Sequence, residues 1–329
     1  MQNTEHKKFK ILLYYKYQKI MEPAAFVAEH KLFCAAQHLL GRIIIAEEGI
    51  NGTCAGALEN IDAYKHYLHT MPGFEDICFK EQTIDFIPFK KLQIRQRKEI
   101  VASGMEWLDT AKGGKHITPE EVNKLLEQNS KNDSIGDSIA DSIGNSIVFF
   151  DVRNEIESKI GHFKNAITPK IRFFRELPNV IEQYQHLKNK KVVLYCTGGI
   201  RCEKASALFL QKGFKNVYQI EGGIYNYCSQ YPDGHFEGTC FVFDERVQIG
   251  FHKERENENR IIQNKEIPEE KIISHCDFCS TRSNRIVDDE RNNGHHLVVC
   301  CEECDKKLDI SRIRYTKKRR KNSIIPVFY

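Results

Sequence analysis

The sequence predicts an α/β protein with an α+β domain at the N-terminus, a parallel-sheet domain after it and a small metal-binding segment near the C-terminus. From Lys10 onward, apolar strand and helix patterns follow in the order β-α-β-β-α-β, and from Ser146 single strands alternate with helices. Two Cys-x-x-C pairs come late in the chain. With 329 residues, the chain is long enough for two or three domains with apolar cores of their own.

The composition excludes a membrane-spanning protein and favours the cytoplasm. Hydrophobic residues make up 41% and charged residues 29% of the chain, and the longest apolar runs are far shorter than the roughly 20 residues of a membrane helix. The N-terminus, MQNTEHKKFK, has no apolar stretch of the kind that signal peptidase cuts. In a reducing compartment, the twelve cysteines indicate metal binding, catalysis or burial rather than disulfides.

The N-terminal domain is predicted over residues 1–104. A strand (KILLYYKY), a helix from about Pro23 to Leu40, two short strands, a helix from about Ile61 to Met71 and a final extended stretch make a ferredoxin-like unit. Asn51-Gly52 lies between the two short strands and predicts their hairpin turn, because both residues tolerate a positive φ.

The end of this domain is a basic extended segment, KKLQIRQRKEIVASG, at residues 90–104. Arg95, Arg97 and Lys98 are candidates for contact with nucleic-acid phosphates. A solvated edge strand explains the same charges equally well.

Residues 105–145 are predicted to connect the two domains. A helical stretch from about Thr118 to Gln128 is followed by the repeat DSIG-DSIA-DSIG-NSI at residues 133–147. A period of four residues rich in Ser, Asp and Gly fits neither a helix face nor a sheet face, so we expect a flexible linker.

The parallel-sheet domain is predicted over residues 146–235. Strand patterns at IVFFDVR, KKVVLYC and NVYQI are separated by the helical patterns FFRELPNVIEQYQHL and KASALFLQKG, which predicts a parallel sheet covered by helices. VVLY is apolar throughout, as is typical of a central strand.

Cys196 is the candidate catalytic residue of this domain. It directly follows the apolar strand, where parallel sheets bind ligands and helix N-termini direct N–H groups outward. The predicted active-site loop continues through Thr197, Gly198, Gly199, Ile200 and Arg201. The two glycines allow the chain to curl, and the arginine adds a positive charge, so a thiolate or an anionic sulfur adduct at Cys196 would be stabilised and the thiol pKa lowered. The alternative is a buried structural cysteine beside a glycine turn.

The loop is one residue shorter than the similar loop of protein tyrosine phosphatases, in which arginine stands six positions after cysteine. Here that position is Cys202, and Arg201 comes one residue sooner, so the loop fits sulfur better than phosphate. Cys202 could be a resolving thiol for an oxidised or persulfidated Cys196. Its alternative is a small apolar residue that faces inward from the first helical turn.

The segment at 236–309 contains the two Cys-x-x-C pairs, separated by 21 residues. This spacing predicts a structural zinc site, because four thiolates surround the ion and leave no position open for substrate. The predicted ligands are Cys276, Cys279, Cys301 and Cys304. Another nearby side chain could replace one of these ligands; the candidates are His275, His295, His296 and Cys300. The remaining alternative is four thiols that bind no metal.

The tail at 310–329 carries the basic character of the chain. It holds seven Lys or Arg and no acidic residue, so the net charge of +4 leaves −3 on the rest of the chain. Such a tail attracts nucleic-acid phosphates without reading sequence, although solvated tails without a partner also occur. The candidates are Lys317, Lys318, Arg319 and Arg320.

Three strings in order, DVR at 151–153, GHFKNAI at 161–167 and CTGGIR at 196–201, resemble the rhodanese family. The resemblance implies a rhodanese fold over 146–235 and a persulfide intermediate on Cys196. It also implies that Asp151 and Arg153 are framework residues near the pocket rather than reactants.

A closer resemblance, spanning about residues 10 to 304, is to the bacterial rhodanese-domain tRNA uridine hydroxylases. It is carried by AEEGINGT at 46–53, RQRKEIV at 95–101, CTGGIRCEKAS at 196–206, QIEGGI at 219–224 and FVFDER at 241–246. It implies that tRNA is the partner, that dioxygen is the co-substrate and that the wobble uridine becomes 5-hydroxyuridine, with Cys196 bearing the persulfide. The DSI repeat departs from the family pattern and touches no reactive residue.

Two other functions remain compatible with the residues alone. A rhodanese-type sulfurtransferase would pass persulfide sulfur to an acceptor, and a non-catalytic adaptor would use only the basic tail and the cysteine cluster. A persulfide donor or a reductant is a further possible partner. The sequence contains no flavin or nicotinamide motif.

Overall fold

The computed structural model describes residues 8–132, 147–255, 258–263, 266–289 and 296–310. The chain forms two compact units, Met1–Gly113 and Gly114–Tyr329. The DSI repeat, apart from Ile147, and the four tail candidates from Lys317 to Arg320 lie outside the described residues. Within the described ranges, no helix has both the length and the apolar character needed to cross a bilayer.

The first unit contains a five-stranded sheet with two helices. Its strands are β1 (Phe9–Tyr17), β2 (Leu40–Ala46), β3 (Gly49–Ala57), β4 (Phe79–Ile84) and β5 (Leu92–Gln96), and its helices are α1 (Pro23–Ala36) and α2 (Leu58–His69). The sheet order is β4-β1-β3-β2-β5. The first four strands are antiparallel neighbours, so the predicted ferredoxin-like unit is confirmed, and β5 extends it by pairing parallel to β2.

The hairpin turn predicted at Asn51-Gly52 is wrong. The chain turns between Ala46 and Gly49, and Asn51 and Gly52 lie within β3, opposite β1. Gly49 has the positive φ, at 148°. Gly52 instead allows close packing, because a Cβ there would lie 2.2 Å from the Tyr14 hydroxyl oxygen. A short-range turn signal was therefore outweighed by the long-range contact with β1.

The second unit contains a four-stranded parallel sheet in the order β6-β10-β9-β7. Its strands are β6 (Lys115–Ile117), β7 (Ile147–Asp151), β9 (Lys191–Tyr195) and β10 (Asn216–Ile220), and the short β8 (Gly161–Phe163) pairs elsewhere. Its helices are α3 (Pro119–Asn132), α4 (Glu155–Ile160), α5 (Leu177–Val180), α6 (Ile200–Gln211) and α7 (Gly223–Gln230). The apolar strand β9 is central and buried from Val192 onward, as predicted. The sheet also contains β6, which precedes the range of 146–235 predicted for this domain.

The remainder of the second unit is built from small antiparallel pairs. β11 (Phe236–Gly238) pairs with β8; β12 (Cys240–Phe241), β13 (Gln248–Arg255) and β14 (Glu258–Gln263) form a three-stranded sheet; and β15 (Ile286–Asp288) pairs with β16 (Leu297–Val299), before α8 (Glu302–Leu308). Short 3₁₀ segments lie at Thr110–Lys112, Phe174–Glu176, Ile181–Leu187 and Glu269–Lys271.

Candidate active site and metal cluster

Cys196 lies at the carboxyl end of the central strand β9, and the loop after it leads into α6. Gly199 adopts a φ of 105°, which directs its backbone N–H toward the Cys196 Sγ at 3.1 Å. A residue with a Cβ would be strained in this conformation. The predicted glycine curl is therefore present, and it brings the Gly199 N–H to the sulfur.

A second glycine turn, after β10, holds the loop in place. The Ile224 N–H donates to the Cys196 carbonyl oxygen at 2.9 Å, and the Tyr225 N–H donates to the Thr197 carbonyl oxygen at 3.0 Å. Gly223 has a φ of 67°, and a Cβ there would lie 2.4 Å from the Cys196 oxygen. The QIEGGI string, whose resemblance to the family implied no role, thus supports the reactive loop.

Cys196 is fully buried, and its surroundings favour the thiolate. Burial by itself raises its pKa, but the Cys202 thiol, the charge of Arg201 and the N–H groups of Gly199 and Arg201 lower the pKa to about 5. At neutral pH the sulfur is therefore mainly ionised.

Cys202 lies in the first turn of α6, is fully buried and is hydrogen-bonded to the Cys196 sulfur. Burial raises the pKa of Cys202 well above its ordinary value, and the bond to Cys196 raises it further. It therefore remains protonated and donates its S–H to the Cys196 thiolate. Cys202 faces inward from the first helical turn and also contacts the Cys196 sulfur, so its role as a resolving thiol stays a prediction.

Arg201 forms a buried ion pair with Glu157, a residue that the sequence analysis did not single out. Nη1 lies 2.6 Å from one carboxylate oxygen and Nη2 lies 2.8 Å from the other. Arg201 is 5% exposed and Glu157 1% exposed. The Thr197 hydroxyl oxygen lies 3.4 Å from Glu157 Oε2 and 3.4 Å from Arg201 Nη2. The guanidinium is thus already occupied by a carboxylate.

Glu157 is placed by the start of α4. Its carboxylate accepts the Asn154 backbone N–H at 3.2 Å, and its own backbone N–H donates to the Asn154 carbonyl oxygen at 2.9 Å. Burial raises the pKa of Glu157, but Arg201 outweighs this and holds it below the ordinary value. The Asn-x-x-Glu spacing was the available sequence signal, although it predicts a helix start and not a partner for Arg201.

Asp151 and Arg153 form a second buried pair, and both are fully enclosed. Arg153 Nε lies 2.9 Å from one Asp151 oxygen, and Nη2 lies 2.6 Å from the other and 2.6 Å from the Gly161 carbonyl oxygen. The guanidinium also lies over the Tyr195 ring at 5.8 Å. These contacts tie the ends of β7, β8 and β9 together, which supports the framework role that the resemblance implies.

The FVFDER string, for which the resemblance implied no chemistry, borders the site. Asp244 and Arg246 repeat the Asp-x-Arg pattern, with the Arg246 backbone N–H and Nε donating to one Asp244 oxygen at 3.0 and 2.8 Å. Phe243, between β12 and this pair, lies over the Arg201 guanidinium at 5.8 Å. The C-terminal segment therefore contacts the arginine of the active-site loop.

The four predicted metal ligands come together. Their sulfur atoms all lie within 4.8 Å of one another; the residues are Cys276, Cys279, Cys301 and Cys304. Of the alternatives, His275, His296 and Cys300 are outside this cluster, and His295 is outside the described residues. A set of four thiolates could hold one metal ion, and sulfur ligands in this number suit zinc.

The three basic candidates of the first unit lie at a sheet edge. β5 is an edge strand, Arg95 lies within it half-buried, and Arg97 and Lys98 follow it exposed to solvent. The solvated edge strand therefore exists, and its charges are available to a polyanion.

Three family models match the chain in order. Residues 9–100 match the UPF0176 acylphosphatase like domain, residues 137–230 the Rhodanese-like domain and residues 237–314 the Rhodanase C-terminal model. Among solved structures, the rhodanese-like domain of an Anabaena protein is similar with a TM-score of 0.28 and 18% identity, covering 37% of this chain and 78% of that one.

Several curated relatives carry the name tRNA uridine(34) hydroxylase. One from Cytophaga hutchinsonii is 39% identical and covers 92% of this chain and 88% of its own length. One from Corynebacterium urealyticum is 36% identical and covers 92% of this chain and 95% of its own length. One from Onion yellows phytoplasma is 34% identical and covers 97% of this chain and 98% of its own length. This similarity extends over all three matched domains. The chain therefore belongs to the tRNA uridine(34) hydroxylase family.

Proposed function

We propose that this protein hydroxylates uridine 34 of tRNA in the cytoplasm, giving 5-hydroxyuridine with dioxygen as co-substrate. The observation that carries the proposal is the Cys196 loop, which directs a backbone N–H at a buried sulfur at the end of the central strand, in a chain similar along most of its length to the named hydroxylases. Replacing the C5 hydrogen by hydroxyl takes one oxygen atom from dioxygen. The other oxygen leaves as water and requires two protons and two electrons from a reductant.

Cys196 is the proposed reactive residue, and a persulfide on its sulfur is the proposed intermediate. The Gly199 N–H and the Cys202 S–H stabilise the negative charge of the Cys196 thiolate. In the persulfide the negative charge lies on the outer sulfur atom, which is bonded to the Cys196 Sγ. A persulfide donor is the partner that would load it. Cys202 is also close enough to act as a resolving thiol if Cys196 is oxidised.

The tRNA is proposed to contact basic side chains in two places. Arg95, Arg97 and Lys98 offer charges along the β5 edge, and the basic tail offers Lys317, Lys318, Arg319 and Arg320. Contacts of this kind position the backbone of a nucleic acid and do not read its sequence. Recognition of the target base would come from the region around Cys196.

The cysteine cluster is proposed to hold a structural Zn²⁺ ion. Four thiolates complete a tetrahedral shell, so the ion would stabilise the segment that contains β15, β16 and α8 and take no part in the reaction.

Nucleoside mass spectrometry of tRNA tests the function directly. A strain lacking the protein is complemented with the wild type, with Cys196→Ser or with Cys78→Ser, whose thiol is exposed and far along the chain from the loop. We expect 5-hydroxyuridine and its derivatives to return with the wild type and C78S and to remain absent with C196S. Unchanged levels in the deletion strain would refute the proposal.

A further inference from the structure

The carboxylate of Glu157 occupies both outer nitrogens of the Arg201 guanidinium, at 2.6 and 2.8 Å. Both side chains are buried, so solvent screens the pair weakly. An arginine beside a reactive cysteine would ordinarily bind an incoming anion, because the planar guanidinium can donate two parallel hydrogen bonds to oxygens of sulfate or phosphate. In this protein the two outer nitrogens of the Arg201 guanidinium are already hydrogen-bonded to the Glu157 carboxylate.

The other buried cations around the site are also engaged. The Arg153 guanidinium is paired with Asp151, and Arg246 is paired with Asp244. Lys204, fully buried in α6, has interactions of its own. Each of the three buried arginines named here therefore has one carboxylate as its partner. The donors directed at the Cys196 sulfur are instead the backbone N–H groups of Gly199 and Arg201 and the Cys202 S–H.

We propose that Glu157 determines the charge selectivity of the Cys196 loop. With Glu157 in place, the loop stabilises the single negative charge of the Cys196 thiolate or its persulfide. It does not bind free dianions such as thiosulfate and sulfate. A second anion would meet the carboxylate of Glu157 at the position where it needs the guanidinium. This inference rests on the proposed function only in taking Cys196 as the reactive group.

The experiment measures whether sulfate or thiosulfate protects Cys196 from iodoacetamide in the full-length protein, at constant ionic strength maintained with chloride. The variants are Glu157→Gln, which removes the charge, and Glu155→Gln as a matched control. Glu155 lies on the same short helix, and its side chain is 40% exposed. Rates are followed by mass spectrometry of the peptide that contains Cys196.

For the wild type and E155Q, we expect the alkylation rate in millimolar sulfate to equal the rate in chloride. For E157Q, we expect sulfate and thiosulfate to slow alkylation by at least about fivefold, because the freed guanidinium can hold the dianion beside the sulfur. Protection of the wild type, or no protection of folded E157Q, would overturn the proposal.

A second readout applies if E157Q is unstable. In Glu157→Ala the guanidinium is left without its partner, and we expect sulfate to raise the unfolding midpoint of this variant more than that of the wild type. An equal rise of the midpoint in the wild type and in E157A on exchange of chloride for sulfate would again overturn the proposal. Neither measurement depends on tRNA hydroxylation, so failure of the selectivity and failure of the proposed function are separate results.

Discussion

Gly223 lies directly behind Cys196, so close that a Cβ at residue 223 would be 2.4 Å from the Cys196 carbonyl oxygen. The neighbouring Ile224 N–H donates to that same oxygen. Two turns that are separate in the sequence therefore form one rigid support for the reactive sulfur, and this relationship yields the first prediction.

Gly223→Ala should displace the Cys196 loop, because the methyl group meets backbone atoms that cannot move without breaking the turn. We expect a loss of about 1–3 kcal/mol of unfolding free energy from the positive φ and the clash together, measured by urea unfolding. Alkylation of Cys196 should slow as well. Gly213→Ala is the matched control, since Gly213 also has a positive φ, at 88°, but a Cβ there meets only the Lys188 side chain at 3.5 Å or more. Equal effects of both substitutions on alkylation would contradict this prediction.

The alkylation rate of Cys196 should rise with pH around a midpoint of about 5, because the thiolate is the nucleophile and the pKa is lowered to about 5. Cys202→Ala removes an S–H donor to the thiolate, so the midpoint should move upward by about one pH unit. Cys202→Ser keeps a donor and should shift the midpoint less. The measurement is a pH profile of iodoacetamide reaction, and an unchanged midpoint in C202A would show that Cys202 only fills space.

Asp151→Asn should destabilise the second unit strongly, because it leaves the buried Arg153 guanidinium without its counter-charge. We expect a loss of about 3–5 kcal/mol in unfolding free energy. Lys124→Ala is the control, since the Lys124 to Glu120 pair on α3 is about two-thirds exposed and should contribute far less to stability. Comparable losses from the two variants in denaturant titrations would rule out the framework role of Asp151.

The purified protein should contain about one zinc ion per chain, measured by elemental analysis. Cys304→Ser should lower the zinc content and the unfolding temperature, because a four-thiolate site loses one ligand. Cys300→Ser should retain the metal, since the Cys300 sulfur lies outside the cluster and contacts the Cys301 carbonyl oxygen at 3.4 Å. Full zinc content in C304S would disprove the ligand set.

Removal of residues 311–329 should weaken tRNA binding and flatten its dependence on salt, because fewer phosphates are neutralised. The triple variant of Arg95, Arg97 and Lys98 to Ala should act in the same direction if the β5 edge also contacts tRNA. Both effects can be measured by filter binding over a range of salt concentrations. A salt dependence identical to that of the full chain would exclude the tested segment from the interface.

The sequence by itself determined the β-α-β-β-α-β order of the first unit, the strands β7, β9 and β10 of the second, the Cys196 loop and the four converging cysteines. These features depend on local patterns, namely strand and helix periodicity, glycines after an apolar strand and the spacing of cysteine pairs, and nearby residues specify such patterns directly. The repeat and the basic tail were also recognised from composition alone.

Only the tertiary structure decided the turn before Gly49, the addition of β5 and β6 to their sheets, the support from Gly223 and the pairing of Arg201 with Glu157. Arg201 and Glu157 are 44 positions apart in sequence, and their contact exists because β7 and β9 pair side by side and deliver α4 and the Cys196 loop to the same edge of the sheet. A local pattern cannot specify such a contact, because the distance between the two side chains depends on the pairing of strands that the intervening chain separates.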